Sequence, residues 1–278
     1  MERLEAHRTF FANLITASVG LPRGSRLAAA LAATPRERFL GPGPWKVFTP
    51  AGYIETPTDD PAFLYQDVTV GLKPEVQINN GQPVLHALCL AALNPKEGEG
   101  IVHVGAGTGY YTAILAQLAG AAGSVDAYEI EPDLAERAKA NLADFPQVTL
   151  HQRSAAEGAL PACDVIYVCA GVTGPLDSWL DALRPGGRML VPLTPAAGAG
   201  GMLLVTHAAP ERFDARFLCR AAFIPCTGAR DEETAQKLTE AFKRDDFQAV
   251  KSLRRNASPD ETCWCAGPGW WLSTAQVA

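Results

Sequence analysis

The chain has 278 residues, of which 47% are hydrophobic and 19% are charged, and this balance excludes a wholly disordered protein. Its formal net charge of −6 disfavours nucleic acid as a partner, because a negative surface repels phosphates. The odd number of cysteines, 7, is typical of a cytoplasmic protein with reduced thiols. Cys263 and Cys265 form the one close pair, and without a second cluster we expect packing there and no metal site.

The amino-terminal part, residues 1–95, predicts a helical and irregular extension that covers the active site. Apolar residues at helical spacing predict helices over Leu4–Val19 and Ser25–Ala33, followed by a connection rich in proline and glycine. A third helix is predicted over Pro83–Leu93, with Pro83 in the first turn, where its missing N–H costs nothing.

The central part, residues 96–224, alternates strand and helix signals, which predicts an α/β, doubly wound, Rossmann-like sheet. The strands are expected at Ile101–Val104, Ser124–Ile130, Val148–His151, Asp164–Cys169, Gly187–Pro192 and Gly201–His207, and the helices at Tyr111–Ala119, Pro132–Leu142 and Pro175–Leu183. The uncharged residues 189–210 contain two prolines and a glycine-rich turn, so they predict two strands and no membrane span.

The carboxy-terminal part, residues 225–278, predicts one amphipathic helix over Glu232–Phe242 and a tail rich in tryptophan. Three roles are open for this tail: a lid, a contact in a homodimer, or part of the core. Core or subunit contact is favoured, because clustered tryptophans in solvent promote aggregation.

The segment from Gly105 to Tyr110 reads Gly-Ala-Gly-Thr-Gly-Tyr and joins a predicted strand to a predicted helix. Glycines allow the backbone to approach a ligand closely, and the helix offers free N–H groups at its start. Glu129 ends the next strand, where a carboxylate accepts hydrogen bonds from the two hydroxyls of a ribose. The pattern indicates a nucleotide or nucleoside site; a glycine turn that merely packs is the alternative.

The spacing of these glycines separates two classes of cofactor. A dinucleotide site has the pattern Gly-x-Gly-x-x-Gly, and here Tyr110 stands where its third glycine would be. A bulky side chain at that point crowds a pyrophosphate. The spacing therefore favours a nucleoside without pyrophosphate, S-adenosyl-L-methionine being the obvious candidate, over a nicotinamide cofactor.

On six segments, the chain resembles the protein-L-isoaspartate O-methyltransferase family of class I methyltransferases over roughly residues 5–225. These segments are Ala33–Leu40, Ala62–Asp67, Gln77–Pro83, Gly105–Tyr110, Tyr128–Glu131 and Leu183–Arg188. The resemblance implies transfer of a methyl group from S-adenosyl-L-methionine to a carboxylate of a protein or peptide, and it places Asp67 near the entrance to the cofactor.

Carried over residue by residue, the resemblance also implies the site. The cofactor-binding residues would be His103, Gly105, Ala106, Gly107, Thr108, Gly109, Tyr110, Glu129, Ile130, Ser154, Ala155 and Ala170. The catalytic residues would be Asn79, Asn80 and Gln82, in the loop that faces the methyl acceptor.

Three positions depart from the family pattern. His103 replaces an acidic residue, Ser154 replaces the aspartate that meets the adenine, and the loop from Asn79 to Gln82 is longer and lacks the family's serine. These departures leave two alternatives open beside the first interpretation. One is a methyltransferase with a small-molecule or modified-peptide acceptor, and the other is a catalytically silent protein that binds S-adenosyl-L-methionine or a partner.

The chemistry of a carboxylate acceptor suits a sequence without an evident general base. A carboxylate with a pKa near ~4 is already ionised at pH 7, so the site has only to align the reactants and exclude water. His103 is the one histidine next to the glycine loop, and its place in a strand favours a role in the core or beside the cofactor over that of a base.

Overall fold

The computed structural model describes residues 2–276. The helices are α1 Glu2–Ala17, α2 Arg26–Ala33, α3 Arg36–Leu40, α4 Pro83–Leu93, α5 Tyr110–Ala119, α6 Pro132–Asn141, α7 Asp177–Ala182 and α8 Glu232–Lys243. The strands are β1 Lys46–Thr49, β2 Gly52–Glu55, β3 Gly71–Lys73, β4 Ile78–Asn79, β5 Gly100–Val104, β6 Ser124–Tyr128, β7 Val148–His151, β8 Cys163–Val168, β9 Leu183–Leu193, β10 Gly200–Ala209, β11 Arg212–Ala221, β12 Ser252–Arg255, β13 Cys263–Gly267 and β14 Trp270–Ser273. Short 3-10 turns occupy Pro61–Leu64, Pro74–Val76 and Phe247–Ala249.

The chain divides into two compact units. The first contains the residues up to Gly98 together with Ala106–Gln152, and the second contains Glu99–Gly105 together with the residues from Arg153 onward. The predicted domain boundaries after residues 95 and 224 stay predictions. No helix within residues 2–276 is long and apolar enough to cross a membrane.

The first unit combines helices with two antiparallel hairpins and a parallel strand pair. β1 pairs with β2, and β3 pairs with β4, whereas β6 and β7 run parallel from Val125 opposite Val148 to Tyr128 opposite His151. Ser25 caps α2 by accepting a hydrogen bond from the Ala28 N–H, and prolines occupy the first turns of α4 and α6. These local signals explain why the sequence predicts α2, α4 and α6, whereas the short helix α3 falls in the predicted connection rich in proline and glycine and was missed.

The second unit is built on eight strands in the order β13-β14-β12-β11-β10-β9-β8-β5. β5, β8 and β9 are parallel, and every pairing from β9 outward is antiparallel. The predicted α/β class is confirmed, but the sequence did not predict the antiparallel continuation beyond β10. Trp264, Trp270 and Trp271 are all buried, so the carboxy-terminal tail is part of this unit's core.

The boundaries of the predicted helices and strands lie within about two residues of the observed ones, except at the start of β9. The helix predicted over Pro175–Leu183 is confined to Asp177–Ala182, and the following strand, β9, begins at Leu183 and not at Gly187. The Pro185-Gly186-Gly187 turn therefore lies within the strand assignment, and Leu183 pairs with Cys163 of β8. Proline and glycine are typical of turns, so the sequence pattern placed the start of β9 after them, whereas the backbone pairing begins before them.

Candidate functional site

The glycine loop folds back onto the end of β6. The Ala106 N–H donates to the Tyr128 carbonyl at 3.0 Å, and the Gly107 N–H donates to Glu129 Oε2 at 2.6 Å. Gly107 and Gly109 have φ angles of +56° and +92°, a region that glycine enters without strain. Main-chain donors of the loop thus join it to the end of the strand, a link that the sequence did not predict.

Glu129 is a buried carboxylate, 6% exposed, whose two oxygens each accept one main-chain N–H. Gly107 binds Oε2, and the Glu131 N–H binds Oε1 at 2.9 Å. Burial raises the pKa of Glu129, and the main-chain donors act in the opposite direction. Neither oxygen makes a salt bridge with a lysine or arginine in the described part of the chain, so each keeps lone pairs for hydroxyl donors.

The surroundings of Glu129 fit an adenosine group. Ile130, the next residue, is 43% exposed although it is large and apolar, which suits a flat aromatic base. Gly109 directly precedes α5 and has no side chain that could cap the helix. Acceptors for the first N–H groups of α5 can therefore come from the main chain or from a ligand. A Cβ atom built on Gly107 would have one neighbour within 4 Å, the Leu72 side chain at 3.5 Å, so there is open space beside this glycine.

Thr108 and Tyr110 face the interior of the first unit. The Thr108 carbonyl accepts a hydrogen bond from Asn141 at 2.9 Å, and the Tyr110 ring packs edge-on against Phe39 at 5.6 Å between centroids. Burial raises the pKa of Tyr110 to about 12, so its hydroxyl stays protonated. If these two residues bind a cofactor, as predicted, they do so through the main chain.

His103 belongs to the second unit and is enclosed within it. Its ring stacks on Tyr167 with 5.6 Å between centroids, and Nε2 lies 3.4 Å from Cys169 Sγ. Burial lowers the pKa of His103 to about 3, so the imidazole is neutral at physiological pH. A neutral, enclosed ring supports the predicted preference for a role in the core or beside the cofactor over that of a base.

Three further predicted cofactor residues lie in the second unit. Ser154 is buried, and its hydroxyl donates to the Thr227 carbonyl at 3.0 Å while accepting the Ala156 N–H at 3.1 Å. The Ala155 carbonyl accepts a hydrogen bond from Trp179 at 2.9 Å. Ala170, just after β8, is partly exposed. Because the Ser154 hydroxyl already donates its proton to Thr227, it can act toward an adenine as a hydrogen-bond acceptor.

The predicted acceptor loop lies in the first unit and is held by its own asparagines. Asn80 pairs with Val70 twice: its N–H donates to the Val70 carbonyl, and its Oδ1 accepts the Val70 N–H, both at 2.9 Å. Asn79 Oδ1 accepts the Gly81 N–H at 2.9 Å. Asn80 is 8% exposed, and its Nδ2 has no hydrogen-bond partner among the described residues. A buried amide in that state is ready to donate to a ligand.

His86 supports this loop from below. Its ring stacks on Tyr111 at 3.7 Å between centroids, nearly parallel, and Nε2 would lie 1.9 Å from a Cβ at Gly81. Gly81 has a φ of +72°. Glycine is therefore required at this position for both its backbone conformation and the close approach of the imidazole.

Two basic side chains, which the sequence did not single out, connect segments of the first unit around the acceptor loop. Arg36, 0% exposed, donates to the carbonyls of Leu64, Gln66 and Val68, joining two segments of the family resemblance. Lys73 on β3 binds Glu131 at 2.6 Å and Asp133 at 3.0 Å. Both join residues at least 28 positions apart, and no local pattern signals such contacts.

On an α/β fold, a glycine loop whose amide binds the carboxylate at the next strand end is typical of a Rossmann-like protein that binds a nucleotide or nucleoside. Solved structures agree: a protein-L-isoaspartate O-methyltransferase is similar with a TM-score of 0.67 and 21% identity, covering 84% of this chain and 69% of that one. A Plasmodium falciparum protein of that family, solved with S-adenosyl-L-homocysteine, is similar with a TM-score of 0.64 and 16% identity, covering 80% of this chain and 98% of that one. Identities this low support the fold alone.

The sequence comparisons identify the family. The family model for protein-L-isoaspartate(D-aspartate) O-methyltransferase matches residues 7–231. The Brucella anthropi protein-L-isoaspartate O-methyltransferase is 29% identical over 73% of this chain and 86% of its own length. Protein-L-isoaspartate O-methyltransferase 2 of Anaeromyxobacter sp. is 30% identical over 69% and 75%, respectively. This chain belongs to the protein-L-isoaspartate O-methyltransferase family, as the six segments predicted.

Proposed function

We propose that this protein is an S-adenosyl-L-methionine-dependent O-methyltransferase that esterifies the free carboxylate of an isoaspartyl residue in a protein or peptide. The observation that carries the cofactor half of the proposal is the Glu129 carboxylate. It is buried, lacks a salt bridge in the described chain, and is aligned by the amides of Gly107 and Glu131. Membership of the family supports the reaction and the acceptor class.

S-adenosyl-L-methionine, when bound, supplies an electrophilic methyl group on a sulfonium. In the first unit, we assign Glu129 to the ribose hydroxyls, Ile130 to the face of the adenine, and the main chain of residues 106–110 to the remainder of the cofactor. For Gly105, His103, Ser154, Ala155 and Ala170 of the second unit, the cofactor role implied by the family resemblance stays a prediction.

Asn80 carries the acceptor half of the proposal. Its Nδ2 is buried without a hydrogen-bond acceptor in the described chain. Hydrogen bonds from Nδ2 to a substrate carboxylate would offset the free-energy cost of burying this polar group. An ionised carboxylate needs no general base, so the loop has to hold the nucleophile in line and exclude water. Asn79 shapes this loop through its bond to Gly81, and Gln82 completes it.

The test is methyl transfer to two peptides of one sequence, containing either an isoaspartyl or an ordinary aspartyl residue. We expect one methyl group on the isoaspartyl peptide, as an ester that alkali removes, and little on the other. Equal transfer to both would contradict the isoaspartyl preference. No transfer to either, with S-adenosyl-L-methionine bound, would contradict the proposed reaction and favour the small-molecule acceptor or the silent binding protein.

We also propose a cytoplasmic location, which the seven free cysteines support, since an oxidising compartment favours disulfides. The small-molecule acceptor and the homodimer stay predictions.

A further inference from the structure

Asp67 makes two hydrogen bonds at the edge of the acceptor loop. Its Oδ1 accepts the Val84 N–H, and its Oδ2 accepts Gln82 Nε2, both at 2.8 Å. Gln82 directly precedes α4 and offers that helix no side-chain cap. Asp67, 17 positions earlier in the chain, therefore satisfies a donor in the first turn of α4 and holds the Gln82 side chain at the same time.

The backbone on either side of Asp67 is fixed by Arg36. This buried guanidinium donates to the Gln66 carbonyl at 3.0 Å and to the Val68 carbonyl at 3.1 Å. The Arg36 Cζ atom also lies over two aromatic rings, 5.3 Å from the centroid of Phe11 and 5.9 Å from that of Tyr110. These contacts leave the guanidinium little freedom to move. Asp67 is thus presented to the loop from a rigid support.

The two bonds of Asp67 determine which end of the Gln82 amide is left over. An ionised carboxylate only accepts hydrogen bonds, so Gln82 has to turn its Nε2 toward Asp67. Its Oε1 then remains, on an exposed side chain, without a hydrogen bond to any residue that the structure describes. Two residues away, Asn80 keeps an unused N–H donor. The loop therefore offers one donor and one acceptor.

We propose that Asp67 is a positioning residue that orients the Gln82 amide, so that Gln82 Oε1 accepts a main-chain N–H of a peptide substrate beside the carboxylate that Asn80 binds. This inference rests on the proposed function and adds to it the element that selects a peptide. A peptide unit next to an isoaspartyl carboxylate supplies both the N–H and the carboxylate that the loop complements.

The variant Asp67→Asn tests this directly. Its Oδ1 still accepts the Val84 N–H, so α4 stays capped, but its Nδ2 now faces Gln82 and makes the amide turn over, with Nε2 outward. We expect a fluorescent isoaspartyl peptide to bind about tenfold more weakly in the presence of S-adenosyl-L-homocysteine, as one lost hydrogen bond predicts. The melting temperature should change by less than about 2 °C. The removal of a negative charge would by itself tighten an anionic peptide, so electrostatics predicts the opposite sign.

Two matched controls separate orientation from other effects. Asp60→Asn makes the same chemical change at a carboxylate that caps a short turn through the Ala62 N–H and has no hydrogen bond to Gln82 in the described chain, so it should leave the peptide affinity unchanged. In a Gln82→Ala background, Asp67→Asn should have little further effect, because no amide is left to turn. Equal losses in both backgrounds would overturn the proposal.

The peptide can also be altered. Methylation of its main-chain nitrogen, on each side of the isoaspartyl residue in turn, should weaken binding to the wild-type protein at one of the two positions and have little effect on Asp67→Asn. Equal weakening in both proteins indicates a steric effect and overturns the proposal. Binding is read apart from turnover: a peptide that binds with this pattern but is not methylated would contradict the proposed function and leave the role of Asp67 supported.

Discussion

Replacing Glu129 with glutamine tests the cofactor assignment while keeping the size of the side chain. In the wild-type protein, the carboxylate would accept two ribose hydroxyls as charge-assisted bonds, each about 1.5–3 kcal/mol, whereas a neutral bond contributes about 0.5–1.5 kcal/mol. The loss across two bonds is about 2.5 kcal/mol, or a weakening of roughly 70-fold. Gly107 and Glu131 each donate to one oxygen, so the amide also leaves one of these N–H groups facing its NH₂.

The assay is calorimetric titration with S-adenosyl-L-homocysteine, and thermal melting checks that the variant is folded. Glu136→Gln is the matched control, because it makes the same chemical change at an exposed glutamate on α6. We expect its affinity to equal that of the wild-type protein. A dissociation constant for Glu129→Gln within threefold of wild type would refute the assignment of Glu129 to the ribose.

Contacts around the glycine loop and the acceptor loop lead to three more predictions. Burial raises the pKa of Glu129, and ribose hydroxyls favour its ionised form, so titrations should show S-adenosyl-L-homocysteine affinity falling as pH drops through that raised pKa; a flat profile contradicts this. Lys73→Met removes the ion pairs that hold β3 to Glu131 and Asp133, and stopped-flow should show faster release of S-adenosyl-L-homocysteine, roughly two- to fivefold, with less dependence on salt; an unchanged rate argues against such a link. Gly81→Ala puts a Cβ 1.9 Å from His86 Nε2 and should cost more than about 2 kcal/mol in urea unfolding, whereas Gly98→Ala, with similar φ and open space, should cost about 1 kcal/mol; equal costs would contradict the packing argument.

The parts of the site that the sequence predicted follow a recurrent motif. The glycine spacing and the carboxylate at the next strand end predicted the glycine loop and Glu129 as one site, and the bond from Gly107 to Glu129 was found only in the structure. Asp67 was placed near the cofactor by resemblance, but its bonds to Gln82 and Val84 depend on tertiary folding. The same is true of Arg36, whose partners lie up to 32 positions away.

The missed strand β11 shows a different failure. Phe213, Ala215 and Phe217 are buried, and the polar residues Asp214 and Arg216 lie between them. That alternation has the period of a half-buried strand, and it was the available signal. The register of β11 against β10 was beyond reach, because it depends on two irregularities in the pairing.

The most direct test of the central claim is a crystal structure of the protein with S-adenosyl-L-homocysteine. The account predicts both ribose hydroxyls within about 3 Å of the Glu129 carboxylate, and the adenine against Ile130. A ligand bound elsewhere, or a ribose that does not contact Glu129, would contradict the claim.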